Sequence, residues 1–134
     1  MYNFKISVLL FVLLNFTSAC TESSLIPESE NQIHGVWIDE SWNENIRILK
    51  RSDEFQEDKY GFMIFSSGKF IERKNSGWCG TPPIAYANFE GEWEFVEDDI
   101  LKIEVGFWGG VTEFKFRIVS VSFNELQIEY IYDN

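Results

Sequence analysis

Phe89-Glu90-Gly91-Glu92-Trp93-Glu94-Phe95 carries its rings at odd positions and its carboxylates at even ones. A β-strand with one buried and one wet face requires that pattern, because successive side chains leave opposite faces of the chain. The same period of two recurs three times downstream. Leu101, Ile103, Val105 and Phe107 alternate with Lys102, Glu104 and Gly106; Phe114, Phe116 and Ile118 alternate with Glu113, Lys115 and Arg117; Leu126, Ile128 and Tyr130 alternate with Gln127 and Glu129. Glu97-Asp98-Asp99, Gly109-Gly110 and Ser122-Phe123-Asn124 lie between them, each short enough to join antiparallel neighbours. Residues 86–132 therefore read as an antiparallel meander.

Upstream, His34-Gly35-Val36-Trp37-Ile38 reads as a first strand, residues 39–44 as a turn, and Asn45-Ile46-Arg47-Ile48-Leu49-Lys50 as a second strand. The charged run at 51–59 is a loop. Tyr60-Gly61-Phe62-Met63-Ile64-Phe65 is apolar enough for a strand covered on both faces, and Ser66-Ser67-Gly68-Lys69 turns it into Phe70-Ile71-Glu72-Arg73. Gly77-Trp78-Cys79-Gly80-Thr81-Pro82-Pro83 excludes helix and central strand, and is expected to be an ordered loop at one end of the sheet. The count is about eight short strands joined by tight turns, for which an all-β, up-and-down barrel is the leading architecture and an open sandwich the alternative.

The 134-residue chain has a net charge of -11, which argues against nucleic-acid binding through a basic surface. Aromatics make up 17% of it, which implies either a ring-filled core or a site for something flat and apolar. Lys5, the apolar run at 6–16 and the small residues Thr17-Ser18-Ala19 before Cys20 have the layout of an export signal. An eleven-residue apolar run is short for a bilayer span. The cysteine at this point resembles the lipobox of bacterial lipoproteins, with Thr17 where that motif carries an aliphatic residue. The resemblance implies a signal peptide over residues 1–20 that ends at the lipobox cysteine, with Cys20 as the lipidated first residue of the mature chain, and anchoring of an exported protein to the cell envelope, outer membrane first. Cys79 would then be a lone thiol; without lipidation, a Cys20–Cys79 disulfide is the alternative. Residues 21–32 are polar, acidic and aperiodic, and are expected to form a mobile tether to a domain at 33–134.

At Gly35-Val36-Trp37 the domain resembles the lipocalin and fatty-acid-binding superfamily, especially the small lipocalin-like domains of bacterial lipoproteins. In lipocalins the tryptophan of this Gly-x-Trp motif closes the barrel floor against an arginine near the chain end. Here no arginine follows the last strand, and the nearest, Arg117, lies on the polar phase of its segment. The resemblance implies a non-catalytic binding module for a small apolar ligand, a membrane contact through lipid on Cys20, and no cofactor. Trp78, Tyr86, Trp93, Phe107, Trp108, Phe114, Phe116 and Tyr130 are the candidate ligand-binding residues. The alternative is a solid barrel that serves as a structural or inhibitory protein-interaction module.

Other chemistry finds little support in the residues. Glu90, Glu92 and Glu94 lie roughly 7 Å apart along one strand face, too far for two to share an ion without a neighbouring strand, and read as a solvated face opposite Lys102, Lys115 and Arg117. His34 is the only histidine, no Gly-x-Ser-x-Gly elbow is present, and a zinc site would have one His and one free Cys, so no catalytic or metal residues are assigned. Chemistry in the barrel mouth would need His34 within reach of Cys79.

Overall fold

The computed structural model describes residues 28–133; Cys20, the export-signal reading and most of the tether reading lie outside them. A short helix α1 (Glu28–Ile33) leads into eight strands: β1 (Gly35–Asn43), β2 (Ile46–Ser52), β3 (Gly61–Ile64), β4 (Lys69–Asn75), β5 (Tyr86–Glu97), β6 (Ile100–Phe107), β7 (Gly110–Val121) and β8 (Glu125–Ile131). They are all antiparallel to their neighbours and close into a barrel, which removes the open sandwich from consideration.

The spatial order is β1-β2-β8-β7-β6-β5-β4-β3, so the meander runs unbroken from β3 to β8 and departs from strict up-and-down order once. β1 pairs with both β2 and β3, through Trp37↔Arg51 on one side and Trp37↔Phe62 on the other. The link between β2 and β3 must therefore cross β1. It crosses on the outside, where Arg73 of β4 holds it by donating to the carbonyls of Gln56 and Glu57 at 2.8 and 2.6 Å. Val36 and Ile38, on the outer phase of β1, are buried beneath this crossing. Residues 39–43 continue β1 and are not a turn. A bulge between Asp39 and Ser41 breaks the alternation there, and that break hides the strand in the sequence.

Inside, the expected faces hold. Leu101, Ile103, Val105, Phe116, Leu126 and Ile128 are fully buried, and Phe62 lies between Phe70 and Phe116 with ring centroids 5.4 and 5.8 Å away. Gly91 is inward on β5, and a Cβ there would meet the backbone of Glu104 and Val105, so the β5–β6 wall depends on its having none. On the outer face Glu90 pairs with Lys69 and Glu94 with Lys102. Lys115 reaches Asp133, and Arg117 reaches Asp99 and Glu129.

One end of the barrel, the floor, is sealed by α1. Residues 28–32 are helical where composition suggested a tether, and Ile33 is wholly buried. Its carbonyl accepts from Trp37 Nε1 at 2.7 Å. Arg51 of β2 lies over the Trp37 ring at 4.2 Å and donates to the carbonyls of Gln32, His34 and Phe123. The arginine that packs on this tryptophan thus comes from the second strand and not from the chain end. Gly35 has φ 124°, and a Cβ there would stand 2.5 Å from Arg51 Nη1, so the clamp and the glycine require each other.

Replacing Phe62 with Ala is expected to cost about 3–5 kcal/mol in urea unfolding, whereas Val119→Thr on the outer face of β7 changes stability by less than about 0.5 kcal/mol. Similar losses from both would contradict the assignment of inner and outer faces.

Candidate functional site

The opposite end, the mouth, is where the inner wall changes character. One period above each of five core residues stands a polar or phenolic side chain: Asp39 above Trp37, Arg47 above Leu49, Tyr60 above Phe62, Glu72 above Phe70 and Tyr130 above Ile128. Strand alternation puts all five inside, and barrel closure brings them to one level. Arg47 donates through Nε to Asp39 Oδ1 at 2.8 Å and through Nη1 to the Tyr130 hydroxyl at 3.1 Å. The two phenol oxygens lie 3.3 Å apart, and Tyr60 donates to Glu72 Oε1 at 2.7 Å. Lys74, one period further out, donates to Glu72 Oε2 at 2.6 Å. Glu72 is 5% exposed, and both of its oxygens are used, as burial of a carboxylate demands.

Rings frame this layer. Arg47 lies 3.6 Å from the centre of the Tyr60 ring and 5.0 Å from that of Trp42, and Lys74 lies 5.3 Å from that of Phe89. Trp42 stacks on Tyr130 at 6.1 Å, with Phe114 on another side of Tyr130 at 5.9 Å. Phe89, Phe107, Phe114 and Tyr130 are half-buried, and Trp42 is 51% exposed, although all five lie on the inner phase of their strands. Below the polar layer Trp37, Leu49, Phe62, Phe70, Phe116 and Ile128 are sealed, with Trp93, Phe95 and Ile118 half-buried toward the floor; above it the rings are partly open to solvent. The mouth is therefore a ring-framed polar layer, and a cleft of about 380 Å³ lies beside it between the ends of β7 and β8, lined by Glu113, Phe114, Lys115, Tyr130, Tyr132 and Asp133. A larger depression of about 700 Å³ lies on the outer wall beside Lys69, Glu90 and Glu92. It offers one ring, Trp93, and its charged groups include the paired Lys69 and Glu90.

Burial pushes the Tyr60 phenol well above its ordinary pKa, with Tyr130 and Glu72 adding to the effect. Burial also raises Tyr130, against the opposing charge of Arg47. For Arg47 burial acts downward, but the bond to Asp39 and the nearby phenols outweigh it, and its pKa lies above the usual arginine range. The layer therefore holds Arg47 charged and both phenols neutral.

Among the candidate binding residues, Phe107, Phe114 and Tyr130 line the mouth, and Trp78 and Trp108 stand exposed on loops beside it. Tyr86 is near the same end but on the outer phase of β5. Trp93 belongs to the floor end, where its Nε1 donates to the Phe65 carbonyl at 2.7 Å and its ring lies 5.9 Å from His34. Phe116 is wholly buried in the core. Alternation gives the face of a side chain but not its height along the barrel, so it groups these last two with the rest. Asp39, Trp42, Arg47, Glu72 and Lys74 were missed. For Glu72 a signal existed, since it shares its phase with Phe70. His34 lies at the floor and Cys79 on the mouth loop, so the two do not form a pair.

Tyr60→Phe removes one donor from buried Glu72 and is expected to cost about 1–3 kcal/mol. Because the fold favours the neutral phenols, the stability they supply is complete below the free phenol value of about 10 and drains away as pH rises past it. Urea unfolding of the parent protein should weaken between about pH 10 and 12, and Tyr60→Phe should weaken less over that interval; parallel curves would remove Tyr60 as its cause.

Comparison with protein-family models, with curated proteins and with solved structures returns no match for this chain.

Proposed function

We propose that this protein is an exported, non-catalytic binding module of the bacterial cell envelope, anchored to the outer membrane through lipid on Cys20, that holds a small ligand at its mouth. The observation that carries the reading is the polar layer across the inner wall, with the rings of Phe62, Phe70 and Phe116 sealed beneath it and those of Trp42, Phe89, Phe107 and Phe114 partly exposed above it. Concave, mostly apolar surfaces with a few fixed polar groups are the usual form of a small-molecule site. Filling of the lower barrel by Phe62, Phe70 and Phe116 favours a ligand seated at the mouth over one swallowed whole. The lipocalin-like Gly35-Val36-Trp37 motif and the cysteine at the end of the export signal support the rest of the reading.

The placement of the ends agrees with such an anchor. The chain enters at the floor, so a lipid on Cys20 would hold that end toward the bilayer and present the mouth away from it. From Cys20 to Glu28 an extended chain reaches at most about 28 Å.

A second reading, a protein-interaction module, is favoured by the exposed rings of Trp78 and Trp108 on the mouth loops and of Tyr132 beyond β8. One titration separates the two. A hydrophobic fluorescent probe should bind the folded protein at one saturable site, and Trp42→Ala or Phe114→Ala should weaken it about tenfold or more, while Phe123→Ala at the floor leaves it unchanged. Absence of saturable binding favours the interaction module. Labelling with radioactive palmitate, present in the parent and lost in Cys20→Ser, tests the anchor; label on both or on neither rejects it.

A further inference from the structure

Apart from any small ligand at the mouth, we propose that the mouth end of β7 is an open strand edge that takes up an extended, basic peptide segment of a partner protein by strand addition. The opening comes from unequal strand lengths. β7 pairs with β6 over residues 110–117 but with β8 only from Lys115 onward, because β8 ends at Ile131. Tyr132 and Asp133 leave the ladder, and Tyr132 is exposed. The barrel wall is thus notched beside residues 110–114, over about 17 Å by strand rise. The cleft of about 380 Å³ that reaches Glu113, Phe114, Tyr130 and Tyr132 lies at this notch.

Main-chain direction decides what the notch offers. Along a strand, the N–H and C=O groups of alternate residues point to opposite neighbours. Ile118 donates to the Asp99 carbonyl on the β6 side at 2.7 Å. Counting back by twos through an unbroken β6–β7 register turns Phe114 and Thr112 toward β6 and leaves Glu113 and Val111 facing the notch. Each of these two carries one donor and one acceptor with no strand opposite it among the described residues. Open edges are commonly blunted by proline, by a bulge or by lysine. Residues 110–114 carry none of the three.

Side chains set the character of the partner. A strand that continues the line of β8 runs antiparallel to β7, and its residues opposite Thr112 and Phe114 fall on the inner phase, toward the Tyr130 ring. Apolar side chains suit that face. On the outer phase Glu113 stands directly across from Glu104, and like charges so placed repel. The nearby lysines, Lys102 and Lys115, are taken by Glu94 and Asp133. A Lys or Arg opposite Glu113 relieves that repulsion, and a protein of net charge -11 draws a cationic segment toward it. A second copy of this chain fits worse, since two β7 edges laid antiparallel bring four of these carboxylates onto one outer face.

The peptide acetyl-Phe-Lys-Val-Val-Lys-amide, titrated into the full chain and followed by amide chemical shifts and hydrogen exchange, tests this. It is expected to bind at one saturable site and to slow exchange at the Val111 and Glu113 amides. Replacing its first Lys with Glu should weaken binding about tenfold or more. N-methylation of that Lys and of the second Val, which face β7, should abolish binding, while N-methylation of the first Val, which faces away, leaves it within about twofold. Glu113→Lys in the protein should reverse the preference between the Lys and Glu peptides. The proposal is overturned by absence of saturable binding, by equal sensitivity to the two methylation patterns, or by a charge preference that Glu113→Lys leaves unchanged. A concentration-dependent dimer that protects the same two amides would give the edge to a second copy and overturn the peptide as its occupant.

Discussion

The pairing of β1 with two strands at once is the constraint on which the rest of the molecule depends. A sheet of eight strands has two exposed edges unless its ends meet, and here the meeting is made by Gly35 to Ile38 against Gly61 to Ile64. Closure makes the inner phase of every strand face a common interior, so that rings from β3, β4 and β7 stack across it. It also forces the β2–β3 link over the outside of β1, where that link shields Val36 and Ile38.

The two ends of the cylinder are treated differently. At the floor the main chain itself is recruited: α1 plugs the opening, and Arg51 ties three carbonyls to the Trp37 ring. Those carbonyls come from segments with no ladder partner of their own, so the guanidinium meets a demand that backbone burial would otherwise leave open. At the mouth the inner wall ends in charged and phenolic groups that satisfy one another. Such a layer adds little net stability, because desolvation of the charges offsets their attraction. What it provides is a fixed polar surface at a fixed depth, with rings standing above it.

That division explains why the same alternation yields both core and mouth. Moving up one strand period takes β4 from Phe70 to Glu72 to Lys74, from sealed to hydrogen-bonded to partly wet. Moving along β8 takes the wall from Ile128 to Tyr130, whose ring still packs on Phe116 while its hydroxyl joins the polar layer.

The sequence by itself determined the strands from residue 86 onward and their inner faces, because alternation with a period of two is a local property that burial then confirms residue by residue. It also indicated all-β closure and the loop at Trp78, since glycine and proline punctuation is equally local. It did not determine the strand order, the helical floor, the bulge in β1 or the arginine that meets Trp37. Each of these is a relation between segments distant in the chain, or a local irregularity that erases the period. The site was legible only in part for the same reason. Phe107, Phe114 and Tyr130 announce their face, but the depth of Trp93 and Phe116, and the gathering of Asp39, Arg47, Tyr60 and Glu72 at one level, follow from register and closure. Height along the barrel axis is set by pairing between strands, and only the tertiary structure supplies it.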